Sequence, residues 1–266
     1  MAEWLIAQEG ALRLGCFGSA LALLLVLQTL APRRPLVRQR QRWRVNLVLV
    51  ALDALLVRLL IPLGAVGVAL WAQRSGTGLL HTIVLPAWLE FVLAFLALDG
   101  LIYWQHRWFH ALPLFWRLHR VHHSDVEIDV TTGLRFHPVE ILLSMLIKMA
   151  AVAALGAPAT AVIAFEIALN ATSLFNHANL RLPLALDRWL RRLVVTPDMH
   201  RVHHSVHPRE YNRNFGFNFP WWDRLFGSYA AQPEDGHERM SIGLTRFREV
   251  ETQELAALLA QPLKPL

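Results

Sequence analysis

Two stretches of this chain carry the residues best suited to chemistry. QHRWFHALPLFWRLHRVHHSD holds His106, His110, His119, His122 and His123, and the distant MHRVHHS holds His200, His203 and His204. An α-helix turns about 100° per residue, so spacings of three and four put imidazoles on one face, where their nitrogens converge. HxxxH and the twice-occurring HxxHH are therefore chelating geometries. A lone histidine on a helix is ordinarily a packed or surface residue, but that explanation does not stretch to three clustered motifs. FNHAN supplies His177 as a ninth candidate ligand. Cys16 is the one cysteine, so the chain has no internal disulfide and no cysteine-type zinc site, and any metal is held by nitrogen and oxygen. Imidazole suits iron, zinc, copper and nickel alike, which fixes the ligand type and leaves the metal open.

Two further residues are candidates for the shell around these ligands. Asp99, Tyr103, His106 and His110 follow a 4-3-4 spacing and form one stripe. Asp99 is thus placed either to accept the second ring N–H of a ligand histidine or to pair with a buried arginine. His137, in RFHPVE, precedes a proline and stands at a helix start, where the positive end of the dipole disfavours imidazolium. It is either a ligand or, as we favour, a hydrogen-bond partner of one. His207, just before Pro208, reads as a surface residue.

The elements that must position these residues are apolar. The 266 residues are 55% hydrophobic with a mean hydropathy of +0.34, which describes an integral membrane protein. Leu14 to Ala31 is a first span, followed by Arg33, Arg34, Arg38, Arg40, Arg42 and Arg44; this block marks the cytoplasmic side. A cleaved signal peptide has the opposite charge order, so the span is expected to be retained. Val45 to Trp71 is a second apolar stretch, interrupted by Asp53, Arg58 and Pro62, and the two charges are expected to pair with other helices. A third span from Pro86 continues as helix to Pro113, long enough for its histidine end to project past the membrane. Val139 to Leu155 and Ala159 to Phe175 read as a helical hairpin, with Lys148 and Glu166 at matching distances from the turn. The hairpin returns the chain to its starting side, as a site shared by the two histidine stretches requires. The expected fold is therefore all-α: a membrane bundle of about four spans, the last two as a hairpin, under a cytoplasmic helical cap.

Downstream, Leu184 to Val195 is an amphipathic interfacial segment, and Thr196-Pro197-Asp198 opens the helix that carries His200 to His204. Trp221 and Trp222, in the aromatic run from Tyr211 to Gly227, either anchor the interface or cover the metal site. A last short helix runs from about Gln253 to Ala260. These divisions give 1–81 as N-terminal spans with a basic loop, 82–229 as the histidine-bearing unit, which the resemblance described below makes the catalytic domain, and 230–266 as a tail. The net charge of +6 rests on arginine, with Lys148 and Lys264 the only lysines. That bias points to a GC-rich genome, a bacterial inner membrane and contact with anionic lipid, not to nucleic acid. No glycine-rich phosphate loop is present.

The motifs together resemble the fatty acid hydroxylase and sterol desaturase superfamily of membrane oxygenases. Its HxxxH corresponds to His106 and His110, its first HxxHH to His119, His122 and His123, and its last to His200, His203 and His204. FHP at His137, NH at His177, NFG at Asn214 to Gly216 and WDRLFG at Trp222 to Gly227 occur in the same order. The resemblance covers about Asp99 to Tyr229. Some relatives carry another histidine at the position of Ser173, so here the ligand set is nine, with His137 or water completing it. The resemblance implies two iron ions in a cytoplasmic cap, with zinc as a substitute in purified protein. It further implies O2 activation and hydroxylation or desaturation of a lipid alkyl chain or sterol. Nine imidazoles give two ions four or five ligands each. Such a reaction consumes two electrons, and no flavin, haem or ferredoxin motif is visible. It therefore requires a separate donor, of ferredoxin or cytochrome b5 type, docking on the basic cytoplasmic face. A membrane metal or haem carrier without catalytic activity is the alternative, although bis-histidine haem would leave seven histidines unexplained. A zinc hydrolase is disfavoured because HExxH is absent.

Overall fold

The structure is a computed structural model that describes residues 2–265. Among these residues the regular structure is helical, with only two isolated bridges, Pro32 to Leu180 and Ser205 to Ile242. The helices are α1 (Ala2–Ala7), α2 (Glu9–Leu30), α3 (Gln39–Leu60), α4 (Gly64–Ser75), α5 (Ala87–Ala111), α6 (Pro113–His123) and α7 (Pro138–Leu155). They continue as α8 (Ala159–His177), α9 (Leu184–Leu190), α10 (Pro197–His203), α11 (Pro208–Tyr211), α12 (Trp221–Leu225), α13 (Gly236–Arg239) and α14 (Leu255–Ala260).

Among the described residues, five stretches are long and apolar enough to cross a membrane: Glu9–Leu30, Gln39–Thr82, Ala87–Ala111, Pro138–Leu155 and Ala159–His177. The sequence leads to about four spans, the last two as a hairpin whose arms each read as marginal alone. The arms are 18 and 19 residues long, and at 1.5 Å per residue each approaches the roughly 30 Å of the hydrocarbon layer. The second apolar stretch is not one helix. Pro62 lacks the N–H that would continue α3, and the chain restarts at Gly64, whose φ of +60° suits glycine.

α8 is the central helix, with α2, α4 and α5 packed on it, while α7 lies against α3 and α4. Ala69, Leu98, Val152, Val162 and Phe165 belong to the core these helices share. Inside the hairpin, Lys148 pairs with Glu166 as their spacing predicts, and Arg13 of α2 joins Glu166 at 3.2 Å. Asp53 and Arg58 depart from expectation: neither makes an ion pair among the described residues, and Arg58 is exposed at the far end of α3. The amphipathic segment is also shorter than its pattern suggests. α9 exposes Leu184, Leu186 and Trp189, but Arg191 turns inward to pair with Asp187 instead of joining the outer basic face.

The arginine block is stitched to the histidine end of the bundle. Arg33 meets Asp198 at 3.2 Å, Arg34 meets Glu127 at 3.1 Å, and Arg42 is buried between Asp125 and Asp129. The tail returns to the same end: Arg120 of α6 donates to the carbonyls of Gln261, Lys264 and Pro265, and Gln253 bonds Arg135 at 2.8 Å.

Candidate metal centre

Local sequence signals bring each histidine to one end of the bundle. α5 runs unbroken to Ala111 and carries His106 and His110 in its last two turns; Pro113 then starts α6, which carries His119, His122 and His123. His177 is the last residue of α8. Thr196 caps α10 by accepting from the Met199 N–H, with Pro197 in the first turn, so that His200, His203 and His204 face the other stretch.

The nine imidazoles meet in two groups. His106, His110, His119, His123 and His203 form one, and His122, His177, His200 and His204 the other; in each, one nitrogen per residue lies within 4.8 Å of all the rest. Eight are buried and His110 is half-buried. Nε2 of His106 and Nε2 of His119 are 3.1 Å apart, as are those of His122 and His177 and those of His177 and His200. Nitrogens sharing one ion at about 2.1 Å stand roughly 3.0 to 3.4 Å apart for octahedral to tetrahedral angles. The spacing fits a common ion.

Hydrogen bonds set which nitrogen faces inward. Nδ1–H of His106 donates to the Phe215 carbonyl at 2.8 Å, that of His122 to Arg135 at 3.1 Å, that of His177 to Ser173 at 2.7 Å and that of His203 to Arg213 at 2.7 Å. His119 Nδ1–H donates to Glu140 Oε1 at 2.6 Å. Each bond fixes the tautomer that leaves an Nε2 lone pair for a metal. Both ring nitrogens of His110, His123 and His204, and Nε2 of His203, are buried and find no protein partner among the described residues. Burying such groups unpaired is costly, so the donor set suits a transition metal. Burial also keeps the rings neutral. It pushes His119 down to about 3, and His122, His123, His200, His203 and His204 well below the ordinary histidine range.

The two residues expected around the ligands have other partners. Asp99 accepts from Trp222 Nε1 at 2.7 Å, which is neither of the two partners its spacing left open, and the carbonyl of Phe215 accepts from His106. Seven residues separate Asp99 from His106, about 10 Å of helix rise, which is beyond the reach of a carboxylate. His137 belongs to neither group. Its Nδ1 accepts from the Val139 N–H while its Nε2 bonds the Leu259 carbonyl at 3.2 Å, so it caps α7 and anchors the tail. Burial lowers its pKa, in line with the neutral form expected. Glu140 was missed: it sits three residues past His137 in FHPVE, one turn into α7, and only the fold shows that it faces His119. His207 is a surface residue that bonds Asp235. Trp222 covers Asp99 and packs against Gly100, where an added Cβ would stand 3.2 Å from the indole.

A cavity of about 360 Å³ opens beneath the first group. His106, His119 and Glu140 lie at its head, and Phe17, Val50, Ile102, Met145 and Leu169 are among its walls. Phe136 borders it too and stacks on His122, with ring centroids 4.5 Å apart.

The fatty acid hydroxylase family profile matches residues 91–228, which include all nine histidines. An alkylglycerol monooxygenase of Danio rerio is 34% identical over 169 residues, covering 62% of this chain and 35% of the relative. An ornithine lipid hydroxylase of Rhizobium tropici is 29% identical over 163 residues, 60% of this chain and 47% of the relative. A very-long-chain aldehyde decarbonylase of Oryza sativa subsp. indica is 28% identical over 149 residues, 53% of this chain and 23% of the relative. The chain thus spans less than half the length of these relatives. No solved structure matches it. Since the profile covers more than half of the chain, this protein belongs to the fatty acid hydroxylase family.

Proposed function

We propose that this protein is a membrane oxygenase that uses O2 and two external electrons to hydroxylate or desaturate a lipid alkyl chain or sterol. One observation carries the reading: two converging groups of neutral imidazoles stand at the head of an apolar-walled cavity. His106, His110, His119, His123 and His203 would hold one iron, and His122, His177, His200 and His204 the other; iron itself is taken from the family. An iron pair, when bound, supplies the oxidising power to break an unactivated C–H bond, which no side chain can do.

The chain's own residues position and insulate. Glu140 keeps the proton of His119 on Nδ1 and strengthens Nε2 as a donor. The cavity walls align an alkyl chain against the His106 and His119 edge of the first group and exclude water from it. We assign the catalytic unit to 82–229, with 1–81 and 230–266 bracing it through Arg42 and the Arg120 contacts. The arginine block shares the histidine end of the bundle, which by the positive-inside rule supports a cytoplasmic site, and we assign the multi-pass protein to a bacterial inner membrane. A ferredoxin or cytochrome b5-type donor would dock on that basic face. A carrier that only binds metal needs no apolar cavity against its ligands, and on that ground we favour the enzyme.

The test is metal analysis of the purified protein, followed by turnover of a lipid extract under ¹⁸O2 with a reduced ferredoxin. Two irons per chain, after reconstitution where zinc has entered, together with ¹⁸O or a new double bond in a lipid, are expected. Iron-loaded protein that consumes electrons and O2 without altering any lipid would overturn the proposal.

A further inference from the structure

Asp53 stands in the cavity wall among apolar neighbours. It lies about two-thirds of the way along α3, is 5% exposed, and its Oδ1 meets no donor among the described residues. Among the other polar groups that border the cavity, Lys148 and Arg13 share Glu166, and Gln105 Nε2 donates to Ser144 Oγ at 2.9 Å, while Gln105 Oε1 and Arg13 Nε find no partner among the described residues. Glu140, also 4% exposed and bordering the same space, spends Oε1 on His119 but leaves Oε2 without a partner. Two buried carboxyl groups thus border one cavity, each with an oxygen free to accept and no cation paired to Asp53. A buried acceptor left without a donor is expensive, and a ligand that brings the donor recovers that cost. Alkane walls alone would give no reason to keep an acid in this position.

We propose that Asp53 is a specificity residue, and that the substrate carries a hydrogen-bond donor, a hydroxyl or a protonated amine, which the Asp53 carboxyl accepts inside the cavity. The inference rests on the oxygenase reading for the word substrate, but the binding it describes does not require turnover. Discrimination of this kind is strong because the analogue lacking the donor leaves the acid unpaired. A hydrocarbon chain with no polar group in this region is therefore a poor ligand, whatever its length.

The experiment is equilibrium binding of tritiated dodecan-1-ol, dodecylamine and dodecane to the metal-loaded protein in nanodiscs, with empty nanodiscs subtracted. The alcohol or the amine is expected to bind at least about tenfold more tightly than the alkane, and Asp53→Leu to erase that difference. Asp53→Asn should keep a preference for the alcohol and lose one for the amine, which separates the two donor chemistries. Unchanged metal content reports that each variant is folded. Equal binding of all three probes to the unsubstituted protein overturns the proposal without recourse to any variant, and so does a preference that survives Asp53→Leu. A donor preference in a protein that never oxidises lipid would leave this site standing and remove the oxygenase reading; lipid oxidation without the preference would do the reverse.

Discussion

Arg42 and Asp125 meet through two parallel contacts, Nε to Oδ1 at 2.5 Å and Nη2 to Oδ2 at 3.0 Å. The side chains are 1% and 0% exposed. Arg42 belongs to the first turn of α3, whereas Asp125 lies two residues past His123, so the pair ties the membrane entry of one helix to the loop that leaves the histidine cluster. Arg42 also reaches Asp129 at 2.7 Å and the Glu127 carbonyl at 3.0 Å. Burial alone would raise the Asp125 carboxyl, but Arg42 and Arg135 hold it down to about 2. Arg42→Ala removes the cation in direct contact with two buried carboxylates and should cost about 3–5 kcal/mol. A lowered midpoint of thermal unfolding in detergent reads this out, and Arg42→Lys should recover only part of it because one ammonium cannot replace the fork.

Glu140→Gln retains an acceptor for His119 Nδ1–H but removes its charge. Metal affinity is expected to fall about 10–100-fold, as measured by competition with a chelator. If the charge were immaterial, Gln would hold metal as tightly as Glu and only Glu140→Ala would weaken it.

His122→Ala removes one of the four rings of the second group. The variant should insert in the membrane, lose metal by elemental analysis and lose turnover. His137→Ala is the contrasting case: it lies outside both groups, so its metal content should match the parent, and its defect should appear as looser attachment of the tail through Leu259.

The protonation of the cage has a definite sign. His119, His122, His123, His200, His203 and His204 are all held below the ordinary value of 6.5 by burial. Below that pH the unfolded chain takes up protons that the folded cage refuses, so stability is full above about 6.5 and falls as the pH drops. Metal-free protein should therefore show a falling unfolding midpoint between about pH 7.5 and 5.5, and metal retention should fall in the same direction because ligands must be neutral to bind. A flat profile would mean that the rings are not buried.

Trp222→Phe removes the Nε1 donor to Asp99 together with the outer indole carbons that face Gly100. The loss should be about 1–3 kcal/mol of stability with unchanged metal content, since Asp99 touches none of the ligands. Loss of metal would instead tie Asp99 to the ligand cage.

Local periodicity made much of this architecture legible. The histidines announce themselves by three- and four-residue spacing, α5 by its uninterrupted apolar run to Pro113, α10 by Thr196-Pro197, and the hairpin pair by the matched positions of Lys148 and Glu166. What stayed hidden depends on contacts between residues far apart in the chain. Glu140 meets His119 from 21 residues away, Arg42 meets Asp125 from 83 and Trp222 meets Asp99 from 123. A carboxylate in an apolar run signals that it needs a partner without naming it, which is why the sequence leaves Asp99 open between a histidine and an arginine and assigns Asp53 only to another helix. The tail left still less trace, since Arg120 grips it through backbone carbonyls that any residue would provide.

His122 and His123 are neighbours on one helix yet serve different groups, and His203 and His204 repeat the arrangement at the C-terminal end of another. Adjacent Cα atoms are 3.8 Å apart by covalent geometry. The offset between the two clusters is thus set twice by the length of a peptide unit and not by flexible loops. A tilt of either helix would displace donors of both clusters together, so a distant substitution that strains α6 or α10 should register as a concerted change at both, never as a defect confined to one.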